Sequence, residues 1–183
     1  MKKITFNAPV VLGFTFLSLA ALVFNLVTYG YANQQFFSIY QTSFTDPMQY
    51  VRLFTHVLGH ASISHFTSNM IIFLLVGPLL EEKYGSTRLL QVILAVALVT
   101  GIVHLVLPGN SALLGASGID FAFILMASVT GDRSGIPLTM ILVAIIYIGT
   151  EIYTGISSSD SISQLTHIVG GSIGAFFGLA LRK

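Results

Sequence analysis

LLQVILAVALVTGIVHLVL, residues 89–107, carries one imidazole and no charged side chain. Coiled as a helix with a rise of ~1.5 Å per residue, it reaches about 28 Å, close to the ~30 Å hydrocarbon core of a bilayer. The neighbouring sequence reads the same way. No Asp, Glu, Lys or Arg occurs between Lys3 and Asp46, between Arg52 and Glu81, or between Arg88 and Asp120. Of the 183 residues, 54% are hydrophobic and 8% charged, whereas soluble domains carry about 25% charged residues. Lipid is the solvent that suits such a chain. A net charge of +1 gives no basis for a nucleic-acid partner, and the lack of cysteine removes disulfides, thiolate metal sites and a thiol nucleophile.

Hydrophobic runs and their breakers predict six spans, at 9–30, 62–80, 87–107, 112–130, 137–154 and 164–181. The breakers are Pro108-Gly109-Asn110, Gly131 to Pro137, and Ser157-Ser158-Ser159-Asp160. The fold class expected is therefore all-α, a polytopic bundle of six transmembrane helices in one domain over residues 1–183. The apolar run from Pro9 to Tyr29 exceeds the ~7–15 residues of a signal-peptide core, so it reads as a retained first span. With the N-terminus inside, Lys2, Lys3, Lys83, Arg88, Arg133, Arg182 and Lys183 fall on the cytoplasmic side and only Arg52 outside. That positive-inside bias puts both termini in the cytoplasm and makes Tyr31 to Thr55 an external loop. The apolar Phe36, Phe37, Ile39 and Tyr40 suit a loop lying partly in the membrane interface.

Polar and ionisable side chains within spans are costly, and each is a functional candidate. His56, His60, His65 and Asn69 stand at the start of the second span. Gly115-Ala116-Ser117-Gly118 and Asp120 lie on the fourth, and His167, Gly170, Gly171, Gly174 and Gly178 on the sixth. All three spans start at the external face in this topology. Ser117 is five residues into its span and His167 three, so both are expected about 5–8 Å below that face. His65 and Asn69 enter to a similar depth. The glycines after His167 recur at helical spacing and form a narrow face, and Gly115 and Gly118 flank Ser117 in the same way. Small residues so spaced let membrane helices approach closely, near enough for the His167 imidazole to reach the Ser117 hydroxyl, as a histidine-activated serine requires.

These residues resemble the rhomboid family of intramembrane serine proteases. The run from Arg52 through His56, His60 and His65 to Asn69 is similar to the family's second-helix signature. Glu81 matches the acid that follows that helix, and Gly85-Ser86 the turn after it. Gly115-Ala116-Ser117-Gly118 resembles the G-x-S-G nucleophile motif, and Thr166-His167-Ile168-Val169-Gly170 the catalytic histidine followed by glycine. The likeness runs from Arg52 to Gly178. It implies a minimal six-helix core of bacterial type, in the inner (plasma) membrane, that cleaves transmembrane segments of other proteins near their external ends. By the same resemblance, Ser117 is the nucleophile and His167 the general base and acid, a dyad with no third acid. The Ser117 N–H, His65 and Asn69 would form the oxyanion hole. His56 and His60 would line a polar cavity or brace the first loop, and Arg52 and Glu81 would be structural. Phe121 stands where the family often has Tyr, keeping the ring that can stack on His167. Val51 stands where the loop's Trp precedes Arg52.

Other readings stay beside this one. A rhombosortase processing short C-terminal membrane anchors would use the same fold and dyad. A non-proteolytic rhomboid-like binding protein would typically lack the serine or the histidine. A His-lined transporter or metal protein is a third class; yet Val57 stands where the H-E-x-x-H zinc motif needs Glu, so neither metal nor cofactor is expected. Ser117, taken alone, fits helix packing, and Asn69 alone fits an inter-helix hydrogen bond. His104 is expected to be structural or water-lining. Glu151 is expected to reach the membrane interface. Asp120, one turn beyond Ser117, is open between a protonated group, a hydrogen bond to a neighbouring helix and a place at the wet cavity.

Overall fold

The computed structural model describes residues 4–107, 111–129, 135–157 and 161–181, without the side chains of 154–157 and 161–163. The breakers at 108–110, 131–134 and 158–160, and Lys2, Lys3, Arg133, Arg182 and Lys183 from the charge pattern, lie outside the described residues. The described chain is all-helical: α1 Pro9–Val27, α2 Pro47–Thr55, α3 Ile63–Tyr84, α4 Ser86–Val106, α5 Ser117–Ser128, α6 Leu138–Ser157 and α7 Ser161–Ala180. A π-helical turn at Asn33–Phe37 and a 3-10 turn at His56–Leu58 sit before and after α2. Among the described residues, α1, α3 and α4 are long and apolar enough to cross a membrane; α5 and the Leu138–Tyr153 part of α6 are apolar as well.

Each terminus has a local cause. Pro9 opens α1, where its missing N–H is no loss. The next two donors go to the far end of α3: Glu81 accepts from Val10 N–H and Val11 N–H, 3.0 Å each, and from Ser86 Oγ at 2.7 Å. A carboxylate here satisfies orphan donors and meets the positive end of the helix. Ser62 caps α3 by accepting from His65 N–H. Gly85, at φ +87°, turns the chain directly from α3 into α4.

The core is a seam of apolar side chains between α1, α3, α4 and α5. Phe14 stacks on Phe73 at 4.5 Å between centroids, and Phe73 lies 5.0 Å from Phe123. Val11, Phe73, Phe123 and Met126 are fully buried. Large apolar side chains such as Phe16, Leu75, Leu79, Ile145 and Phe176 are exposed on the outside, as expected where lipid is the neighbour.

The second span's helix starts at Ile63, one residue from the expected 62, and His56 and His60, placed at the start of that span, lie ahead of it. One boundary does differ from the sequence expectation, and it bears on the site. The fourth span's helix begins at Ser117, not 112, because residues before it are kept out of the helix. Ile39 and Leu113 exchange two N–H···O=C bonds of 2.9 Å, and Gly115 N–H donates to the His56 carbonyl at 3.0 Å. The expected external loop is also largely structured. Within it Arg52, 2% exposed, donates to Asp46 Oδ2 at 2.7 Å and the Gln35 carbonyl at 3.2 Å, and lies 4.6 Å over the Tyr40 ring.

Candidate active site

Ser117 is the first residue of α5. Its N–H and that of Gly118 have no intrahelical acceptor, and the helix end they form favours negative charge. The turn that delivers it depends on Gly115, whose φ of +123° is left-handed territory. A Cβ at Gly115 would also lie 2.7 Å from His65 Nε2 and 3.6 Å from Asn69 Oδ1. The two α3 side chains therefore face the backbone immediately before Ser117.

Helix α7 supplies the imidazole. Gly170 and Gly174 lie directly against α5: a Cβ at Gly170 would strike the Gly118 carbonyl, and one at Gly174 the backbone of Ala122. Gly178 meets Met126 and Val129. Both helices repeat every four residues along the contact, so one small-residue face is matched to one backbone face. This brings His167 Nε2 to 2.7 Å from Ser117 Oγ. Phe121, one turn beyond Ser117, holds the imidazole from the side. Its ring centroid is 4.9 Å from His167 and stacks at 4.0 Å on Tyr147 of α6.

Around this centre the other polar residues take separate posts. His60 Nε2 is 3.1 Å from Asn69 Oδ1, and its ring meets the His65 ring edge-on at 5.1 Å. His56 Nδ1 is 3.0 Å from the Arg52 carbonyl and Nε2 3.4 Å from Thr100 Oγ1. Burial pushes His56 down to about 4; burial and then the nearby His65 do the same for His60. Both rings, between α2 and α3, are neutral at pH 7. Each nitrogen of both faces a protein partner, and no group of three or more metal-ligating side chains occurs among the described residues. A cavity of about 10 Å³ lies beside Ser117, lined by His56, Thr100, Gly115 and Thr166 among others. That is about the smallest volume that holds one water.

Arg52 and Glu81 stand away from this centre, in the loop and at the α1 cap. His104 Nε2 is 3.0 Å from the Ser111 carbonyl, bracing the segment that leads to α5. Asp120 is buried on α5, and neither carboxyl oxygen has a partner of good geometry, although the Asn69 amide interacts with it. Glu151 departs from its expected place at the interface: its carboxylate meets His167 Nδ1 at 2.9 Å. Its sequence signal was its isolation, since it is the one charged residue in the α6 sequence. Thr100 and Tyr147 carried no such signal.

Among known proteins, the family model of the Rhomboid domain matches residues 47–183. The chain is 31% identical to the "Rhomboid-related protein 1" of Caenorhabditis elegans, across 69% of this chain. It spans 38% of that relative's length.

Proposed function

The chain belongs to the rhomboid family of integral membrane proteins, and from that premise we propose that it is an intramembrane serine endopeptidase. The observation that carries this reading is the 2.7 Å separation of Ser117 Oγ and His167 Nε2. Ser117 Oγ attacks the scissile carbonyl carbon of a transmembrane segment while its proton passes to His167 Nε2. The oxyanion so formed accepts hydrogen bonds from the Ser117 N–H, His65 and Asn69, where each preorganised donor is worth about 100-fold or more in rate. His167 then protonates the leaving amine, and water admitted from the external side hydrolyses the acyl-enzyme in the reverse sense. His56 and His60 brace the loop and Asn69; Gly115, Gly118, Gly170 and Gly174 allow the close backbone approach.

We take residues 1–183 as one domain of six spans, both termini cytoplasmic, in a bacterial inner (plasma) membrane. The Lys and Arg bias and the hydrophobic spacing support the span count and orientation, the Glu81 cap that joins α1 to the matched region supports the single domain, and the bacterial membrane rests on the family resemblance alone. The substrate class is transmembrane protein segments cut near the external face. Short C-terminal anchors of the rhombosortase kind are the alternative substrate, and non-proteolytic binding of membrane proteins the alternative function.

Purified protein in lipid, incubated with a model transmembrane substrate and with an anchor substrate, tests these readings together. Ser117→Ala and His167→Ala are expected to lower cleavage by about 1,000-fold or more. Persistent cleavage by the Ser117→Ala protein sinks the serine-protease reading.

A further inference from the structure

The imidazole of His167 is held at both ring nitrogens. Nε2 is 2.7 Å from Ser117 Oγ and Nδ1 is 2.9 Å from Glu151 Oε2. Hydroxyl, imidazole and carboxylate thus form one line of hydrogen bonds from α5 through α7 to α6. The Glu151 and His167 side chains are 12% and 19% exposed, so water competes with the contact only in part. Tyr147, one helical turn before Glu151, stacks on Phe121, which in turn borders His167. The same aromatic pair therefore sets the distance of α6 from the imidazole.

The chemistry of the three groups dictates the direction of each bond. A carboxylate only accepts, so Nδ1–H donates to Glu151, and in a neutral ring this leaves Nε2 as the acceptor. An imidazole with no partner at Nδ1 divides between two tautomers, one of which carries its hydrogen on Nε2 and cannot take a proton from serine. A charged residue in an apolar membrane helix is costly unless paired or functional; Glu151 is paired with the one side chain that must change charge in the reaction.

Resting on the protease reading above, we propose that Glu151 is a positioning residue that turns the Ser117–His167 pair into a carboxylate-assisted triad. It fixes the Nδ1–H tautomer and faces the imidazolium formed when His167 takes the Ser117 proton. In that step the O–H bond of Ser117 breaks and an N–H bond forms at Nε2. The Nδ1 hydrogen stays on the ring throughout and the carboxylate stays unprotonated.

The test uses the full chain in lipid with Glu151→Gln, Glu151→Leu and Ser117→Ala beside wild type, read by steady-state cleavage and by 15N-edited NMR of histidine-labelled protein. His167 signals are assigned by their loss in His167→Ala. Glu151→Leu is expected to lower kcat by about 10–100-fold, a share of what general acid–base catalysis supplies, with KM changed less than about twofold. Glu151→Gln keeps an acceptor without the charge and should fall between. The Nδ1–H signature of His167 should give way to a tautomer mixture in Glu151→Leu and persist in Glu151→Gln. Wild-type kcat in Glu151→Leu overturns the proposal, as does a lowered kcat with the tautomer unchanged. Cleavage surviving in Ser117→Ala fails the protease reading instead, and the tautomer comparison then still decides whether Glu151 sets the ring.

Discussion

Gly170 of α7 lies against the carbonyl of Gly118 on α5 so closely that no Cβ fits between them. Gly118 follows Ser117 and Gly170 is one helical turn beyond His167, so this contact sets the separation of hydroxyl and imidazole. Gly170→Ala is expected to push the two helices apart and cost about 1–3 kcal/mol by overpacking. Labelling of Ser117 by a fluorophosphonate should drop at least about tenfold. Wild-type labelling of a folded Gly170→Ala protein would show that the glycine contact does not control the site.

Gly115 offers a way to move His65 without deleting it. An added methyl would meet His65 Nε2 at 2.7 Å, on a backbone at φ +123° that L-residues rarely adopt. Gly115→Ala should therefore lower kcat by about 100-fold, the scale of one lost oxyanion donor. Tyr fluorescence during heating checks that the fold survives; a kcat within twofold of wild type would remove His65 from the oxyanion role.

Phe121 contributes its ring. Phe121→Tyr preserves the stack on Tyr147 and the flank of His167, so cleavage should change by less than about threefold. Phe121→Ala deletes contacts worth about 0.5–1.5 kcal/mol each and frees the imidazole, and a loss near tenfold is expected. Equal rates for the two variants would show that the ring does not hold His167.

Asp46 and Arg52 give the loop an acid limit. The Met48 backbone N–H, and after it the Arg52 guanidinium 2.7 Å away, hold the Asp46 carboxyl below its ordinary 3.8. A carboxylate with a depressed folded pKa adds stability that is present above its unfolded pKa and lost as pH falls through the folded one. Thermal midpoints of wild type and Asp46→Asn should thus differ by a constant amount at pH 5–7 and converge below about pH 3.8. Arg52→Lys should lower the midpoint at all pH values, because an ammonium cannot span Asp46, the Gln35 carbonyl and the Tyr40 face together. Coincident curves for wild type and Asp46→Asn at pH 6 would show the pair to be idle.

Much of this was legible because membrane sequences declare their solvent. Charge-free runs mark helices through the cost of burying charge in hydrocarbon, and Gly170, Gly174 and Gly178 reveal a narrow face because helical spacing alone puts them together. Where α5 begins was not legible. Alanine, leucine and glycine at 112–116 suit a helix as well as a strand, and only the pairing of Leu113 with Ile39 and of Gly115 with His56 keeps them out of the helix.

The sequence by itself determined an all-helical chain sparse in charge, and put a serine and a histidine on different helices, each beside glycines. Periodicity says which residues share a face of one helix. It says nothing of how separate helices are rotated about their axes, and that rotation was decided by packing alone. It turned Glu151 onto His167 rather than toward the interface, and it put Glu81 on the first donors of α1. Each is a contact between elements distant in the chain, which exists only once the helices have met.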